Sequence, residues 1–513
     1  MNRRPVLAVA FLLLSLSAQT VFAAPVDPAK RPNILLAISD DQSWKHTSAA
    51  GSPFVQTPNL DSVANTGFYF ENGYAASPGC SPSRAALLTG RHHWMIGPAG
   101  THGSSFPIHY DTFVDLLEAA GYKVGFTGKG WGPGDWLGGG RDRNPAGDEY
   151  NNIKLGKDRK KGILDSDYAA NFEQFMGERD EGQPFFFWYG AKEPHLAYAE
   201  EPHSESARAT VEVPGFLPDT ATTRDTLLDY ADEINHFDNY LGKIMAVLDA
   251  AGELDNTLVI ITSDNGMPLP RAKATGYDYG SHVPLVIGWG GSSKQGATVK
   301  APVGFVDLSA TIMDTAGLEV PRQFVGTSLL PLVNGKQDDW SYDRAVFSGR
   351  ERHSSSRYRN LTYPQRIMRR GDYLIIWSAT PNREPAGQHQ EIINGELGEP
   401  HMAYYEIGPS LIKKELLENR DDPYFKPFFH LAVDKQPEWQ FYNVVDDPDC
   451  LNDLAESSEH AMIFAAYKQQ LTETLKATGD PRLLGYGHVW EDYPRTPGTM
   501  RYFPKPDNED QQE

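Results

Sequence analysis

The chain has 513 residues with 68 acidic and 47 basic side chains, a net charge of −21, and that balance excludes nucleic acid as a natural partner. Two cysteines, Cys80 and Cys450, are too few for a disulfide framework, and the length exceeds what one compact core supports, so two domains are expected. An anionic substrate would have to be bound by a local basic patch against the global field.

Arg3 and Arg4 precede an apolar run from Val6 to Leu16 and then Val21-Phe22-Ala23, which reads as a signal peptide over residues 1–23. No later stretch reaches the ~20 apolar residues of a membrane span, and no cysteine marks the cleavage site for a lipid anchor. The expected location is therefore periplasmic or secreted, with no membrane association after cleavage. Asn33–Ser39 is a short apolar run closed by Asp40-Asp41, the pattern of a strand buried on both faces. Helical spacing follows at Thr112–Gly121, and strand-like runs at Val124–Thr127 and Pro184–Tyr189. A long amphipathic helix is expected from about Thr226 to Ala251, with Ile234, Phe237, Leu241, Ile244 and Leu248 on its apolar face. Thr257–Ser263 repeats the buried-strand pattern and ends in Asp264-Asn265. This alternation predicts an α/β sheet with helices on both faces, and ligands outside the carboxyl ends of its strands.

Beyond about Arg344 the texture changes to Arg-rich loops, a strand at Tyr373–Trp377 and a helix from about Glu459 to Ala477. The expected division is a catalytic α/β domain over 30–343, a smaller α+β domain over 344–505 and a polar tail over 506–513.

The segment Cys80-Ser81-Pro82-Ser83-Arg84 continuing to Leu88-Thr89-Gly90-Arg91 resembles the signature of the type I, formylglycine-dependent sulfatases. Resemblance runs from Asn33 to about Leu484, and Ser263–Pro270 is most similar to the branch holding heparan N-sulfatase (sulfamidase) and bacterial polysaccharide sulfatases. It implies an alkaline-phosphatase-like mixed sheet sandwiched by helices, and hydrolysis of sulfate from a sulfated carbohydrate. It further implies a maturation enzyme that oxidises Cys80 to an aldehyde. The hydrated aldehyde has two hydroxyls on one carbon: one attacks sulfur, and the other expels sulfate by re-forming the carbonyl.

By the same resemblance Asp40, Asp41, Asp264, Asn265 and the modified Cys80 hold one divalent metal. Carboxylate and amide oxygens suit a hard cation, Ca²⁺ first and Mg²⁺ second. Arg84 would offset charge on the transferring group, Lys129 and Lys273 would bind sulfate oxygens, and His195 would stand at the leaving-group oxygen as general acid. Taken alone, Asp-Asp and Asp-Asn pairs also serve as turn residues, and a Cys80–Cys450 bridge is the plain alternative for the cysteines.

Two departures from the family pattern stand out. The family usually has Gly-Lys-x-His, and here Trp131 occupies the histidine position, leaving His93 and His102 as substitutes for the second-step base. His282 stands where many relatives carry arginine. Between Arg350 and Arg370 a cluster of arginines, with Arg352 and His353 singled out, is expected to form an anion-binding rim for an oligosaccharide, against the alternative of arginines paired with surface acids. Competing functions are N-sulfoglucosamine hydrolysis, phosphate or phosphonate monoester hydrolysis on the same fold, and a non-catalytic polysaccharide-binding protein.

Overall fold

The computed structural model describes residues 31–157, 159–290, 296–335, 340–496 and 500–506. The leader expected at 1–23, and the expected tail apart from Pro506, lie outside them. No helix among the described residues is long and apolar enough to cross a membrane.

Among the described residues nine strands build the main sheet: β1 (Asn33–Ser39), β2 (Phe68–Tyr74), β3 (Lys123–Gly128), β4 (Asp148–Glu149), β5 (Phe185–Gly190), β6 (Thr257–Ser263), β7 (His282–Trp289), β8 (Ala297–Val299) and β9 (Val303–Gly304). Their order is β4-β3-β5-β1-β6-β7-β2-β8, with β9 also paired to β2. The strands from β4 to β6 run parallel, whereas β7 is antiparallel to both β6 and β2. The sheet is therefore mixed.

The central strands are apolar throughout because both faces are covered. Ile34, Leu36 and Ile38 of β1, with Phe186 and Trp188 of β5, enter a core shared with the helices Cys80–Thr89, Phe113–Ala119 and Phe305–Thr315. Leu35 and Ala37, with Phe185, Phe187 and Tyr189, enter the opposite core beneath the helices Tyr168–Gly177 and Ala221–Ala250. The last of these helices begins at the Thr220 cap, earlier than its apolar stripe announces.

Beyond residue 344 a four-stranded antiparallel sheet forms from β10 (Ala345–Arg350), β11 (Gln365–Arg370), β12 (Tyr373–Ser378) and a strand at Trp439–Asn443, in chain order along the sheet. Met368, Ile375 and Phe441 on one face pack against Tyr467, Leu471 and Leu475 of the helix Ala461–Ala477. Ile367, Leu374 and Ile376 on the other face pack against Tyr277 and Cys450. Cys450 is thus a buried apolar filler, and both cysteines are free thiols rather than a bridge.

Candidate active site

Parallel strands deliver their loops to one edge, and that edge gathers the chemistry. Asp40 and Asp41 follow β1, Lys129 follows β3, His195 follows β5, and Asp264 and Asn265 follow β6. Cys80 opens the helix Cys80–Thr89, every residue of which is buried, so its first turn cannot shift without disturbing the core. Asp41 sits at φ 77°, a left-handed conformation uncommon for a residue with a side chain and worth about 1–3 kcal/mol of strain.

The polar contacts are close. Arg84 donates Nε to Asp264 Oδ2 at 2.7 Å and its NH1 to the carbonyls of Lys129 and Gly130 at 2.7 and 3.0 Å. Lys129 Nζ lies 2.6 Å from Asp40 Oδ2. Lys273 Nζ lies 2.6 and 2.7 Å from the two oxygens of Asp41 and 3.2 Å from Cys80 Sγ. Asn265 Nδ2 donates to Asp41 Oδ1 at 2.7 Å, while its Oδ1 is buried with no hydrogen-bond partner among the described residues. His195 Nε2 is 3.7 Å from Asp41 Oδ2.

Ligand atoms of Asp40, Asp41, Asp264 and Cys80 lie within 4.8 Å of one another, and all four residues are buried. Three buried carboxylates are tolerable only beside cations, and Arg84, Lys129 and Lys273 supply three. The cluster is therefore neutral by itself. A divalent cation added to it creates the surplus positive charge that a sulfate group would match. The oxygen donors, with Asn265 Oδ1 left open, fit a hard cation.

Burial works to raise the Asp40 carboxyl, yet Lys129, His195 and Arg84 outweigh it and hold the group below the usual carboxylate range. Burial pushes the Cys80 thiol up to about 12 despite Lys129 and Lys273. An unmodified Cys80 is then a neutral thiol near pH 7 and a poor nucleophile. Burial, followed by Lys273, lowers His195 below its ordinary value.

His102 and His353 also belong to this region. Their ring centroids are 4.4 Å apart, and both feel the charge of Lys273. The structure corrects three other expectations. His93 is fully buried, with Nδ1 at 3.2 Å from the Gly100 carbonyl and its ring against Trp94 and Trp490. His282 spends Nδ1 on Asp278 and Nε2 on the Glu71 carbonyl, both at 2.8 Å, and stacks between Trp44 and Tyr74. Arg352 is 1% exposed and donates to the carbonyls of Tyr493 and Pro494.

The arginine rim fails for the same physical reason, since most of its guanidinium groups are held in interior partnerships. Arg357 pairs with Glu406 at 2.7 Å, Arg366 with Glu351 at 2.7 Å and with Asp480, and Arg369 donates to the Tyr74 hydroxyl at 3.0 Å. Trp131 is 2% exposed and donates Nε1 to the Ser81 carbonyl at 3.0 Å, bracing the first turn of the Cys80 helix. Glu406 and Arg495, which contact His353, lie in stretches with no motif, and nothing in the sequence marked them.

The family model described as Sulfatase matches residues 32–318. The N-sulphoglucosamine sulphohydrolase of Homo sapiens is 24% identical, over 90% of this chain and 94% of its own. The N-acetylglucosamine-6-O-sulfatase of Bacteroides thetaiotaomicron is 27% identical, over 63% of this chain and 75% of its own. Among solved structures, a protein in complex with its substrate D-glucosamine-2-N,6-O-disulfate superposes with TM-score 0.60 at 20% identity, covering 88% of this chain and 99% of its own. The phosphonate monoester hydrolase of Agrobacterium radiobacter superposes with TM-score 0.57 at 18% identity, covering 88% and 97%.

Proposed function

The chain belongs to the sulfatase family and is a sulfuric ester hydrolase, and from this premise we propose that it removes sulfate from a sulfated oligo- or polysaccharide. The observation that carries the reading is Cys80 at a buried helix start, facing three carboxylates and the two lysines. Relatives named for sulfated sugars support the substrate class. Formylglycine at position 80 would supply a hydrated aldehyde as nucleophile. One Ca²⁺, with Mg²⁺ as the second choice, would be held by Asp40, Asp41, Asp264, Asn265 and residue 80, and would polarise a sulfate oxygen.

The remaining work falls to this chain's own side chains. Arg84 is locked by Asp264 and two carbonyls, so it presents fixed positive charge beside residue 80 without reorganising. Lys129 and Lys273 bind sulfate oxygens once a metal takes over their carboxylate partners. His195, whose Nε2 is 3.7 Å from Asp41 Oδ2, would stand at the leaving-group oxygen as general acid, with Lys273 as a second donor. Cys80 is 1% exposed, so a maturation enzyme must reach it before the chain folds.

A second reading, cleavage of an N-sulfate, draws on the full-length similarity to the human sulphohydrolase. The test is a panel of N- and O-sulfated mono- and oligosaccharides together with a phosphonate monoester, scored by released anion after mass spectrometry has verified conversion of Cys80. Sulfate release from saccharides that vanishes in Cys80→Ala supports the proposal. Release from the phosphonate alone overturns it.

A further inference from the structure

Arg271 and Arg350 are buried arginines that the chemistry at residue 80 does not use. Arg271 lies on the loop after β6 and Arg350 ends β10, so one comes from each half of the chain. They are 5% and 3% exposed. Arg271 lays its guanidinium carbon 3.7 Å from the centre of the Tyr277 ring and donates Nη2 to the Cys450 carbonyl at 2.7 Å, while its Nε and Nη1 are buried with no hydrogen-bond partner among the described residues. Arg350 donates Nε to the Tyr363 carbonyl at 3.2 Å and Nη2 to the Pro385 carbonyl at 2.9 Å, and its buried Nη1 likewise has no partner among those residues. Carbonyl dipoles do not balance a whole buried charge, and Arg357 and Arg366, buried as deeply, take carboxylates. Both unmatched arginines line one cavity of about 30 Å³. Its other charged walls offer no free acid. Glu406 is already held by Arg357 at 2.7 Å, the Ser356 hydroxyl at 2.8 Å and the Ser354 amide at 3.1 Å, and Lys273 turns its ammonium to Asp41. Burial draws the Arg350 guanidinium down to about 10, even with Glu406 opposing it.

We propose that this cavity binds one halide-sized monovalent anion, chloride in the first instance, between Arg271 and Arg350. The anion supplies the negative charge that neither half of the chain places there, and it accepts hydrogen bonds from the guanidinium nitrogens left without partners. A cavity of that size admits one or two water-sized groups, which suits a halide and excludes a four-oxygen sulfate. Arg271 and Lys273 share one loop, and Arg350 belongs to the second sheet. The bound anion therefore pins that sheet to the loop carrying Lys273. Anything that binds the folded state and not the unfolded chain stabilises it by mass action, so the site makes stability depend on the halide concentration.

The test needs no turnover. The full chain is dialysed into gluconate buffer and melted with increasing chloride, bromide or sulfate, with gluconate adjusted to hold the ionic strength constant. The wild type is expected to show a saturable rise in Tm with chloride and with bromide, of about 2–3 °C at a hundred times the Kd. Arg271→Gln and Arg350→Gln should lose that rise whatever their own Tm, and the exposed Arg359→Gln should keep it. Wild-type crystals soaked in bromide give a second readout that stands even where the cavity variants do not fold: an anomalous peak is expected between Arg271 and Arg350. A saturable response to sulfate alone, a halide response kept by both cavity variants, or a cavity that holds water and no bromide overturns the inference. None of these outcomes touches the sulfatase reading, which stands or falls on sulfate release.

Discussion

Asp264 shows how much one side chain carries here. It fixes Arg84 at 2.7 Å, accepts the Asp41 amide at 3.1 Å and offers the third carboxylate of the cluster. Asp264→Ala leaves a buried guanidinium short of its partner and would leave the proposed cation short of a ligand. The expected outcome is a loss of turnover beyond about 10³-fold, with bound Ca²⁺ falling below one per chain by elemental analysis. A variant that keeps stoichiometric calcium would show that Asp264 is not a ligand. The same scale explains Trp131, whose indole is a brace for the nucleophile helix rather than a failed histidine.

At the scale of elements, buried charge separates structural groups from functional ones. Arg366 on β11 is 1% exposed between Glu351 and Asp480, with Arg482 also on Glu351 at 2.8 Å. Arg366→Ala removes the guanidinium shared by two buried carboxylates and should cost about 3–5 kcal/mol in denaturant unfolding, whereas the exposed Arg359→Ala should cost under about 0.5 kcal/mol. Glu233, on the helix Ala221–Ala250, is a different case. It is 3% exposed, neither carboxyl oxygen has a hydrogen-bond partner among the described residues, and burial with Glu193 and Asp229 nearby pushes it up to about 9. A folded-state value above the ordinary 4.5 means that the native state holds the proton more tightly. Its contribution is therefore complete below about pH 4.5 and is lost as pH rises towards about 9. Glu233→Gln should flatten this decline, raising stability by at least about 1 kcal/mol at pH 8.5 and changing little at pH 4.5. Melting curves at the two pH values check it.

For the whole molecule, the small antiparallel sheet packs directly on the first half of the chain. Its inner face, Ile367, Leu374 and Ile376, closes on Tyr277, and Arg271 donates to the Cys450 carbonyl at 2.7 Å. His353 and Glu406, 3.4 Å apart, come from this half of the chain. Unfolding should accordingly be one cooperative calorimetric transition. Ca²⁺ at a hundred times its Kd should raise stability by about 2.7 kcal/mol, and a chelator should remove that gain. Two separate transitions would instead show the small sheet to be an independent unit.

Much of this protein was legible in local pattern. Strands buried on both faces are apolar along their whole length, so β1, β5 and β6 could be read directly, and acidic residues at their ends marked Asp40, Asp41 and Asp264. Cys80 and Arg84 were marked by the resemblance of the stretch from Cys80 to Arg91 to the sulfatase signature. Composition could not say which arginines of 350–370 face outward, because a guanidinium buried against carbonyls and one offered to an anion have the same sequence. That choice, the burial of His93 and His282 in aromatic and carbonyl contacts, and the meeting of His102 with His353 across 251 residues of chain were decided only when the second sheet closed on the first. Such contacts depend on long-range packing, which leaves no periodicity to read.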